Sequence, residues 1–318
     1  REPMIGTHKV DKYLKASLER LAGEQKWLEW RTVKEAARAV TRHQSHFTRR
    51  DLVRALAEAA QVRGLHKIDI LKLTDKYIAS RHVLSLGQVD KDIRYANKRL
   101  YNLEKKLLSQ ARKLMVKRSF NVAIKHIRAS AQAHKLNPEQ VKALHEITAR
   151  GGIKILSGIS GAGKTHTLGA ARQAWEKNGY TVIGIALSGK QTQRLAEQTE
   201  KKQGIISGLL GKKQQNMTIS RLLWEIKRAR MSQLIYGSRS VVKSPLTAKT
   251  VVIADNAQDI GAAQIERLVK EVRRAGAKLV LSGDIHQPQA YTHSGALGAL
   301  IKSIGASVQT TIERQKQA

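Results

Sequence analysis

One short segment constrains the fold of this chain more than any other. Residues 158–165 read GISGAGKT and match G-x-x-x-x-G-K-[ST] at every fixed position. The apolar run before them, Ile153 to Leu156, predicts a buried strand, and apolar residues at helical spacing follow them. A strand, a glycine-rich turn and a helix in this order indicate a phosphate-binding loop, and they disfavour the alternative of a turn that holds no ligand.

The residue types of the loop explain its chemistry. Glycines let the backbone turn tightly, so that several N–H groups point at one triphosphate, and the helix N-terminus adds a favourable dipole. In such a loop Lys164 reaches the β and γ phosphates, and Thr165 ligates magnesium. The segment therefore predicts ATP and magnesium as cofactors.

The charge of the chain indicates what the nucleotide is used for. Lys and Arg number 58 against 25 Asp and Glu, which leaves a formal net charge of +33 on 318 residues. Such a chain favours polyanions, nucleic acid above all, because neutralised phosphates release counterions. Anionic membrane is the competing partner, but no apolar run approaches the roughly twenty residues of a spanning helix. A lysine excess caused only by genome composition or solubility is the remaining alternative.

Two residue types are scarce, and each limits the possible functions. The absence of cysteine excludes a disulfide framework and a cysteine zinc site, and it is compatible with the cytoplasmic location that we expect. Aromatic residues make up 4% of the chain, which argues against nucleic-acid binding by base stacking. We therefore expect mainly electrostatic contacts with DNA.

The character of the sequence changes near residue 130. Residues 1–129 show helical patterns and predict a basic, all-helical domain, with helices over 32–39, 48–61 and 93–117. Thr48 is a plausible N-cap, and Asp51 three residues later completes a weak capping box. Residues 130–318 alternate strand, loop and helix, which predicts an α/β domain with a doubly wound parallel sheet. The predicted strands are Ile153 to Leu156, Thr181 to Ala186, Thr250 to Ala254, Lys278 to Ser282, and Val308 to Thr311.

Two later strands end in carboxylates. The run Val251 to Ala254 precedes Asp255, and the run Leu279 to Gly283 precedes Asp284. Ligands in parallel sheets lie beyond the carboxyl ends of the strands, and an Asp there commonly holds magnesium opposite a phosphate loop. Each Asp alone could be an ordinary turn residue or helix cap. Their order after the loop favours a role in the site.

The ordered motifs resemble those of superfamily 1 DNA helicases of the RecD-like branch. More narrowly, the chain resembles the helicase part of conjugal transfer relaxases of the Ti-plasmid TraA type, including the helical region before the motor. The motor motifs are residues 136–140, 158–165, 186–190, 218–220, 255–258, 283–287 and 313–315, and the matching helical segments are residues 41–52 and 94–104. The resemblance implies a P-loop RecA-like domain over residues 130–318.

The resemblance also implies roles for single residues, first at the nucleotide. Gln140 recognises the adenine edge, and Asp255 positions the metal. Gln287 couples the γ phosphate to DNA, and Arg314 stabilises charge. The phosphates and magnesium are held by Gly158, Gly161, Gly163, Lys164 and Thr165.

A second set of implied residues contacts the backbone of single-stranded DNA. These positions are small, polar or cationic, as phosphate contacts require. They are Gly189, Lys190, Thr218 and Ser220.

The chain departs from the family pattern in two respects. The residue after Asp255 is Asn256 where Glu is expected, and an amide cannot take a proton from attacking water. The chain also stops three residues after Gln315, where such helicases continue into a second RecA-like motor domain. We therefore expect weak or absent ATP hydrolysis, and a piece of a longer protein or of a decayed gene.

Two functions remain open from the sequence. The first is an ATP-binding, DNA-binding helicase module of a conjugal transfer relaxase with impaired hydrolysis. The second is a noncatalytic, vestigial module that grips single-stranded DNA or docks proteins of the conjugal transfer machinery. Asn256 favours the second function, and the motif order favours the first.

Overall fold

The computed structural model describes residues 7–43, 46–61, 63, 66–89, 91–117, 119–187, 215–239, 241–284 and 296–311. The chain forms two compact units, Arg1–Tyr101 and Asn102–Ala318. This division falls about thirty residues before the predicted boundary near residue 130. The reason is that residues between Tyr101 and that boundary pack into the core of the second unit. Leu107 and Leu114 lie in one core cluster of that unit, and Ile127 lies in another.

The first unit contains helices packed around a small apolar core. Phe47, Leu52 and Leu56 are buried in this core. The predicted capping box is confirmed: the Asp51 amide donates to Thr48 Oγ1 at 3.2 Å, and the Thr48 amide donates to Asp51 Oδ2 at 2.8 Å. The elements are α1 Thr7–His43, β1 Phe47–Thr48, α2 Arg49–Ala60, α3 Lys67–Ile78, β2 Val83–Val89 and β3 Asp92–Asn97.

The prediction of an all-helical N-terminal region is wrong in one part. In the described residues of this unit, β3 pairs antiparallel with β1 and with β2. The helix predicted from Ile93 therefore begins only at Lys98, after Asn97, whose side-chain oxygen accepts the amide of Arg99. β2 and β3 are half-buried or exposed over most of their length, and pairing between separate segments stabilises them. Periodicity along the chain did not reveal this pairing.

The second unit follows the predicted alternation of strand and helix. Two strands match their predicted bounds, and the last strand begins one residue earlier than predicted. The elements are α4 Lys98–Met115, α5 Ile124–Ala133, α6 Pro138–Thr148, β4 Ile153–Gly158, α7 Lys164–Lys177, β5 Thr181–Ala186, β6 Gln215–Thr218, α8 Ile219–Tyr236, β7 Thr250–Ala254, α9 Ala262–Ala275, β8 Lys278–Gly283, α10 Ala296–Ile304 and β9 Ser307–Gln309.

The described strands of this unit form one parallel sheet in the order β6-β5-β7-β8-β4-β9, which confirms the predicted fold class. Apolar side chains cover both faces. Ile155 and Leu281 face a cluster with residues of α4, α8, α9 and α10, whereas Leu156 and Val280 face a cluster with α5, α6 and α7. Parallel sheets require such cover on both faces. The sheet brings the carboxyl ends of β4, β7 and β8 to the same edge.

Lys278 is an exception among the buried residues of β8. Its side chain is fully buried, and Nζ donates to the carbonyl oxygen of Ala149 at 2.6 Å. Nζ also lies 5.7 Å from the ring centroid of Trp175 and 5.9 Å from that of Phe120. Burial, together with the smaller effect of the nearby charge of Lys154, lowers the pKa of Lys278 from 10.5 to about 7. The fold therefore disfavours the charged form.

We expect Lys278→Met to stabilise the protein near neutral pH. Between about pH 7 and 10.5, Lys278 is protonated in the unfolded chain and neutral in the folded chain. The free energy of unfolding of the wild type therefore increases as pH rises through this range. The free energy of unfolding of the variant, measured with urea, should exceed that of the wild type at pH 7. The difference should shrink toward alkaline pH. The exposed Lys125→Met is the control, and a pH-independent difference for Lys278→Met would contradict the prediction.

Candidate nucleotide-binding site

The predicted phosphate loop connects β4 to α7 and adopts a conformation that requires glycine. Gly161 and Gly163 have φ values of 87° and 77°, in the left-handed region. Gly163 caps α7, and the helix begins at Lys164. The loop therefore presents a helix N-terminus at the carboxyl end of β4, where unpaired amides and the helix dipole favour an anion.

Gly158, at the end of β4, is required for a different reason. A Cβ atom there would lie 2.5 Å from the carbonyl oxygen of Gln309 on β9. The same carbonyl accepts the amide of Ile159 at 3.3 Å. The start of the loop is therefore fixed against the neighbouring strand by backbone contact alone.

Lys164 folds back into the loop. Its ammonium donates to the carbonyl oxygens of Gly158 at 2.7 Å and Ile159 at 2.9 Å. Burial lowers the pKa of Lys164, while the charges of Asp284 and Asp255 act in the opposite direction. The cation is thus held at the turn itself, within the electrostatic reach of two carboxylates.

Thr165 and Asp255 come together across the edge of the sheet. The Thr165 hydroxyl donates to Asp255 Oδ2 at 3.3 Å, and the Asn256 amide donates to Asp255 Oδ1 at 3.0 Å. Burial raises the pKa of Asp255, whereas these hydrogen bonds and the charge of Lys164 oppose the rise. A hydroxyl and a carboxylate side by side are oxygen ligands of the kind that Mg²⁺ prefers.

The second strand-end carboxylate is linked to the first by a glutamine. The buried Gln258 lies three residues after Asp255, and its side-chain oxygen accepts the amide of Asp284 at 3.3 Å. A Cβ atom at Gly283 would lie 2.6 Å from the same oxygen. The two motifs therefore form one packed edge.

Gln140 lies beside the loop. Its side-chain oxygen accepts the Asn137 amide at 3.2 Å in a capping box, and its Nε2 donates to the carbonyl oxygen of Ala162 at 3.4 Å. The residue is buried. Gln140 thus joins the start of α6 to the phosphate loop, and its recognition of adenine stays a prediction.

Two residues near the loop were not singled out from the sequence. Glu139 accepts the amides of Thr310 and Thr311 at 2.8 and 3.0 Å, and the Thr310 hydroxyl at 2.9 Å. Burial tends to raise the pKa of Glu139, but the hydrogen bonds from both threonines lower it to about 2. Gln309 Nε2 donates to the Thr167 hydroxyl at 2.8 Å. Both residues fix the end of β9 beside the loop. Glu139 lies in the motif at residues 136–140 and Gln309 in the last predicted strand, but neither pattern assigned these side chains a role.

Asn256 has a left-handed backbone, with φ 52° and ψ 46°, and it precedes a 3-10 turn at Ala257–Asp259. Asn is among the few residues other than Gly that adopt this conformation readily. The residue that replaces the expected Glu is therefore also suited to the local backbone.

Two of the other predicted site residues, Thr218 and Ser220, lie in the described part of the chain. Thr218 caps α8, where its hydroxyl accepts the Arg221 amide at 3.2 Å, and Ser220 is exposed one position into the helix. Their contact with DNA stays a prediction. The remaining predicted residues lie outside the described part of the chain: Gly189, Lys190, Gln287 and Arg314.

The described residues fit a nucleotide with magnesium. The loop supplies amides and an ammonium for phosphates, and Thr165 with Asp255 supplies oxygen ligands for the metal. Within the described residues there is no group of three or more His, Cys, Asp or Glu that could hold a metal by itself. Magnesium would therefore depend on phosphate oxygens and water for its other ligands, as Mg²⁺ commonly does at nucleotide sites.

Comparisons with known proteins agree with this site. Residues 135–318 match the family described as AAA domain, which is more than half of the chain. The chain therefore belongs to the AAA domain family.

Two relatives bear the name Conjugal transfer protein TraA. The Rhizobium radiobacter protein is 31% identical over 287 residues, covering 87% of this chain and 23% of that protein. The Agrobacterium fabrum protein is 33% identical over 225 residues, covering 70% of this chain and 18% of that protein. The resemblance to TraA-type proteins is thus confirmed, and the chain spans less than a quarter of the length of these relatives.

Pif1 helicase from Candida albicans is among the solved structures to which the chain is similar. The crystal structure of Pif1 helicase from Candida albicans has 22% identity and a TM-score of 0.36, over 57% of this chain and 41% of that chain. Among the described residues, no helix combines the length and apolar character needed to cross a membrane.

We expect Gly158→Ala to destabilise the second unit. The added methyl group would meet the Gln309 carbonyl on a fixed strand, and overpacking of this kind costs about 1–3 kcal/mol. The control is Gly298→Ala in α10, where a Cβ atom meets nothing within 4 Å. Urea unfolding of both variants measures the difference. Equal stability of the two variants would mean that β9 yields to the methyl group.

Proposed function

We propose that this chain is an ATP-binding, DNA-binding helicase module of a conjugal DNA transfer relaxase, with impaired hydrolysis. The observation that carries the proposal is the arrangement of Lys164, Thr165 and Asp255 around the start of α7, with an amide at position 256. Membership of the AAA domain family supports nucleotide binding. Similarity to the TraA proteins supports a role in conjugal transfer.

Binding is proposed to use the residues already gathered at the edge of the sheet. The ammonium of Lys164 is proposed to exchange the carbonyls of Gly158 and Ile159 for phosphate oxygens, which is favourable because an anionic acceptor replaces a neutral one. Thr165 and Asp255 hold magnesium. Bound ATP supplies the phosphoanhydride whose hydrolysis drives helicases. Gln140 is proposed to contact the adenine by releasing its hydrogen bond to Ala162.

Hydrolysis is proposed to be slow because the position of the general base carries an amide. Asn256 can orient water but cannot accept its proton, and general base catalysis is commonly worth about 10²- to 10⁴-fold. The left-handed backbone at this position also disfavours a longer side chain. Because hydrolysis is slow, bound ATP is proposed to remain intact for longer than it would in an enzyme with the catalytic Glu.

DNA is proposed to lie near the carboxyl edge of the sheet. Thr218 ends β6 and Ser220 follows that strand, at the same edge of the sheet as the phosphate loop. Gly189 and Lys190 complete the proposed set. Gln287 is proposed to couple the γ phosphate to DNA, and Arg314 is proposed to stabilise charge. The net charge of +33 supports a DNA partner, and with a cysteine-free sequence it supports a cytoplasmic location.

The second candidate function is a noncatalytic module that grips single-stranded DNA or docks transfer proteins. Asn256 is the observation in its favour. Since the chain spans less than a quarter of its TraA relatives, the activity of a whole relaxase is itself a proposal.

We expect the protein to bind ATP and magnesium with little turnover. Titration of a fluorescent ATP analogue should show saturable binding that Lys164→Ala abolishes, because the phosphate-binding ammonium is lost. Phosphate release should stay slow when single-stranded DNA is added. Fast DNA-stimulated release by the wild type would contradict impaired hydrolysis.

Replacement of Asn256 by Glu separates the two candidate functions. If only the base is missing, Asn256→Glu should raise phosphate release by up to about 10²- to 10⁴-fold. Asn256→Gln is the matched control, because it lengthens the side chain without adding a carboxylate. Equal rates for both variants would favour the noncatalytic module.

We expect the affinity for single-stranded DNA to fall steeply with salt. Fluorescence anisotropy of a labelled oligothymidylate should give a linear plot of log K against log salt, with a slope of about −0.7 for each neutralised phosphate. An affinity that stays constant from low to physiological salt would contradict electrostatic binding.

A further inference from the structure

The tryptophans of this chain occupy two different environments. Trp175 is fully buried in the core of the second unit. Trp27 and Trp30 on α1 and Trp224 on α8 are 53%, 58% and 58% exposed. Large aromatic side chains are usually buried, since each removes a large apolar area from water. Three of the four tryptophans therefore contribute little to the cores of their units.

Each exposed tryptophan carries a cation from the next turn of its own helix. The Arg31 guanidinium lies 5.1 Å from the Trp27 ring centroid, and the Lys34 ammonium lies 4.4 Å from that of Trp30. On α8, the Arg228 guanidinium lies 5.5 Å from the centroid of Trp224. The pattern W-x-x-x-[KR] thus occurs three times on exposed helix faces. The buried Trp175 lacks it, because Gly179 stands at the corresponding position.

The exposed rings lie on helix faces that are largely open to solvent. On α1, Thr32 and Ala36 are buried on the side away from the rings, and Ala37, seven residues after Trp30, is buried at the border of the Trp30 face. The opposite face of α8 buries Leu222 and Ile226. The rings themselves remain more than half exposed.

Two acidic residues near these rings in sequence are hydrogen bonded to other cations. Glu35 accepts a hydrogen bond from Arg63 at 2.5 Å, and Glu225 accepts one from Arg221 at 2.9 Å. The hydrogen bond and charge of Arg63 lower the pKa of Glu35 most, and the charge of Arg31 adds to this effect. Around each exposed ring the surface thus combines an apolar plane with positive charge.

We propose that Trp27, Trp30 and Trp224 are base-stacking contacts for single-stranded nucleic acid, with their paired cations facing the phosphates. Every base offers a π face to an indole, so such contacts tolerate any sequence. The cation over each ring adds attraction for the backbone. An apolar protein partner fits less well, because its docking would remove the cation from water without an opposite charge.

The position of Trp224 agrees with the proposed DNA site, on which this inference rests. Ser220, a proposed backbone contact, precedes Trp224 by four residues, and residues with this spacing share a helix face. Arg228 continues the same face. Ser220, Trp224 and Arg228 thus offer a hydroxyl, a ring and a cation in a row. The low aromatic content of the chain, which argued against stacking, does not reveal that most of its tryptophans are exposed.

The test separates stacking from charge by its salt dependence. Anisotropy with labelled oligothymidylate at several salt concentrations gives two quantities. They are the slope of log K against log salt and the affinity that remains at high salt. Trp27→Ala/Trp30→Ala and Trp224→Ala should each weaken binding by about five-fold or more at all salt concentrations. The slope should stay unchanged. Lys34→Gln should reduce the slope instead, and Trp→Phe variants should keep most of the affinity.

Two comparisons make the outcome decisive. Leu234 is an exposed apolar residue of α8 that is not among the proposed DNA contacts. The Leu234→Ala variant should therefore bind as the wild type does. Urea unfolding should show that the tryptophan variants are as stable as the wild type. Wild-type affinity in the tryptophan variants would overturn the inference and assign these faces to a protein partner, while the DNA-binding proposal would stand. An equal loss in Leu234→Ala would also overturn it. A wild-type protein that fails to bind oligothymidylate would contradict the proposed DNA binding itself.

Discussion

The candidate site depends on the close backbone contact between the end of β4 and β9. Gly158 leaves no space for a side chain against the Gln309 carbonyl, and that carbonyl holds the next amide of the loop. Gln309 and Glu139 then attach β9 to α7 and α6 by side-chain hydrogen bonds. These contacts fix the start of the phosphate loop against β9. A loop backbone that is already in place lowers the entropic cost of binding phosphate.

The same edge of the sheet combines binding groups with an altered catalytic position. Thr165 and Asp255 are hydrogen bonded, and Gln258, three residues after Asp255, accepts the backbone amide of Asp284. These contacts keep the metal-binding and strand-end groups in order. Asn256, in contrast, suits the left-handed backbone but offers no base. This arrangement supports our proposal that nucleotide is bound but hydrolysed slowly.

Positive charge and exposed tryptophans together describe how this chain could hold DNA. The charge acts at long range and without regard to sequence, so it controls the rate of encounter and the salt dependence. The rings act only on contact with an unpaired base. Because each exposed ring carries its own cation, the two effects act at the same places on the surface.

Much of the second unit was predictable because its information is local. The loop glycines, the apolar runs of β5 and β7, and the carboxylate after β7 follow from short patterns, and all of them form as expected. The capping box at Thr48 is equally local.

Tertiary structure decided what depends on pairing between distant segments. The antiparallel strands β2 and β3, the polar edge strand β6, and the contacts of Glu139 and Gln309 carry no periodic signal, since their partners lie elsewhere in the chain. Exposure of Trp27 and burial of Lys278 likewise follow from which helix face and which strand meet the core. The sequence by itself determined the class of site, whereas packing determined how rigidly the site is held and which surfaces remain open to a partner.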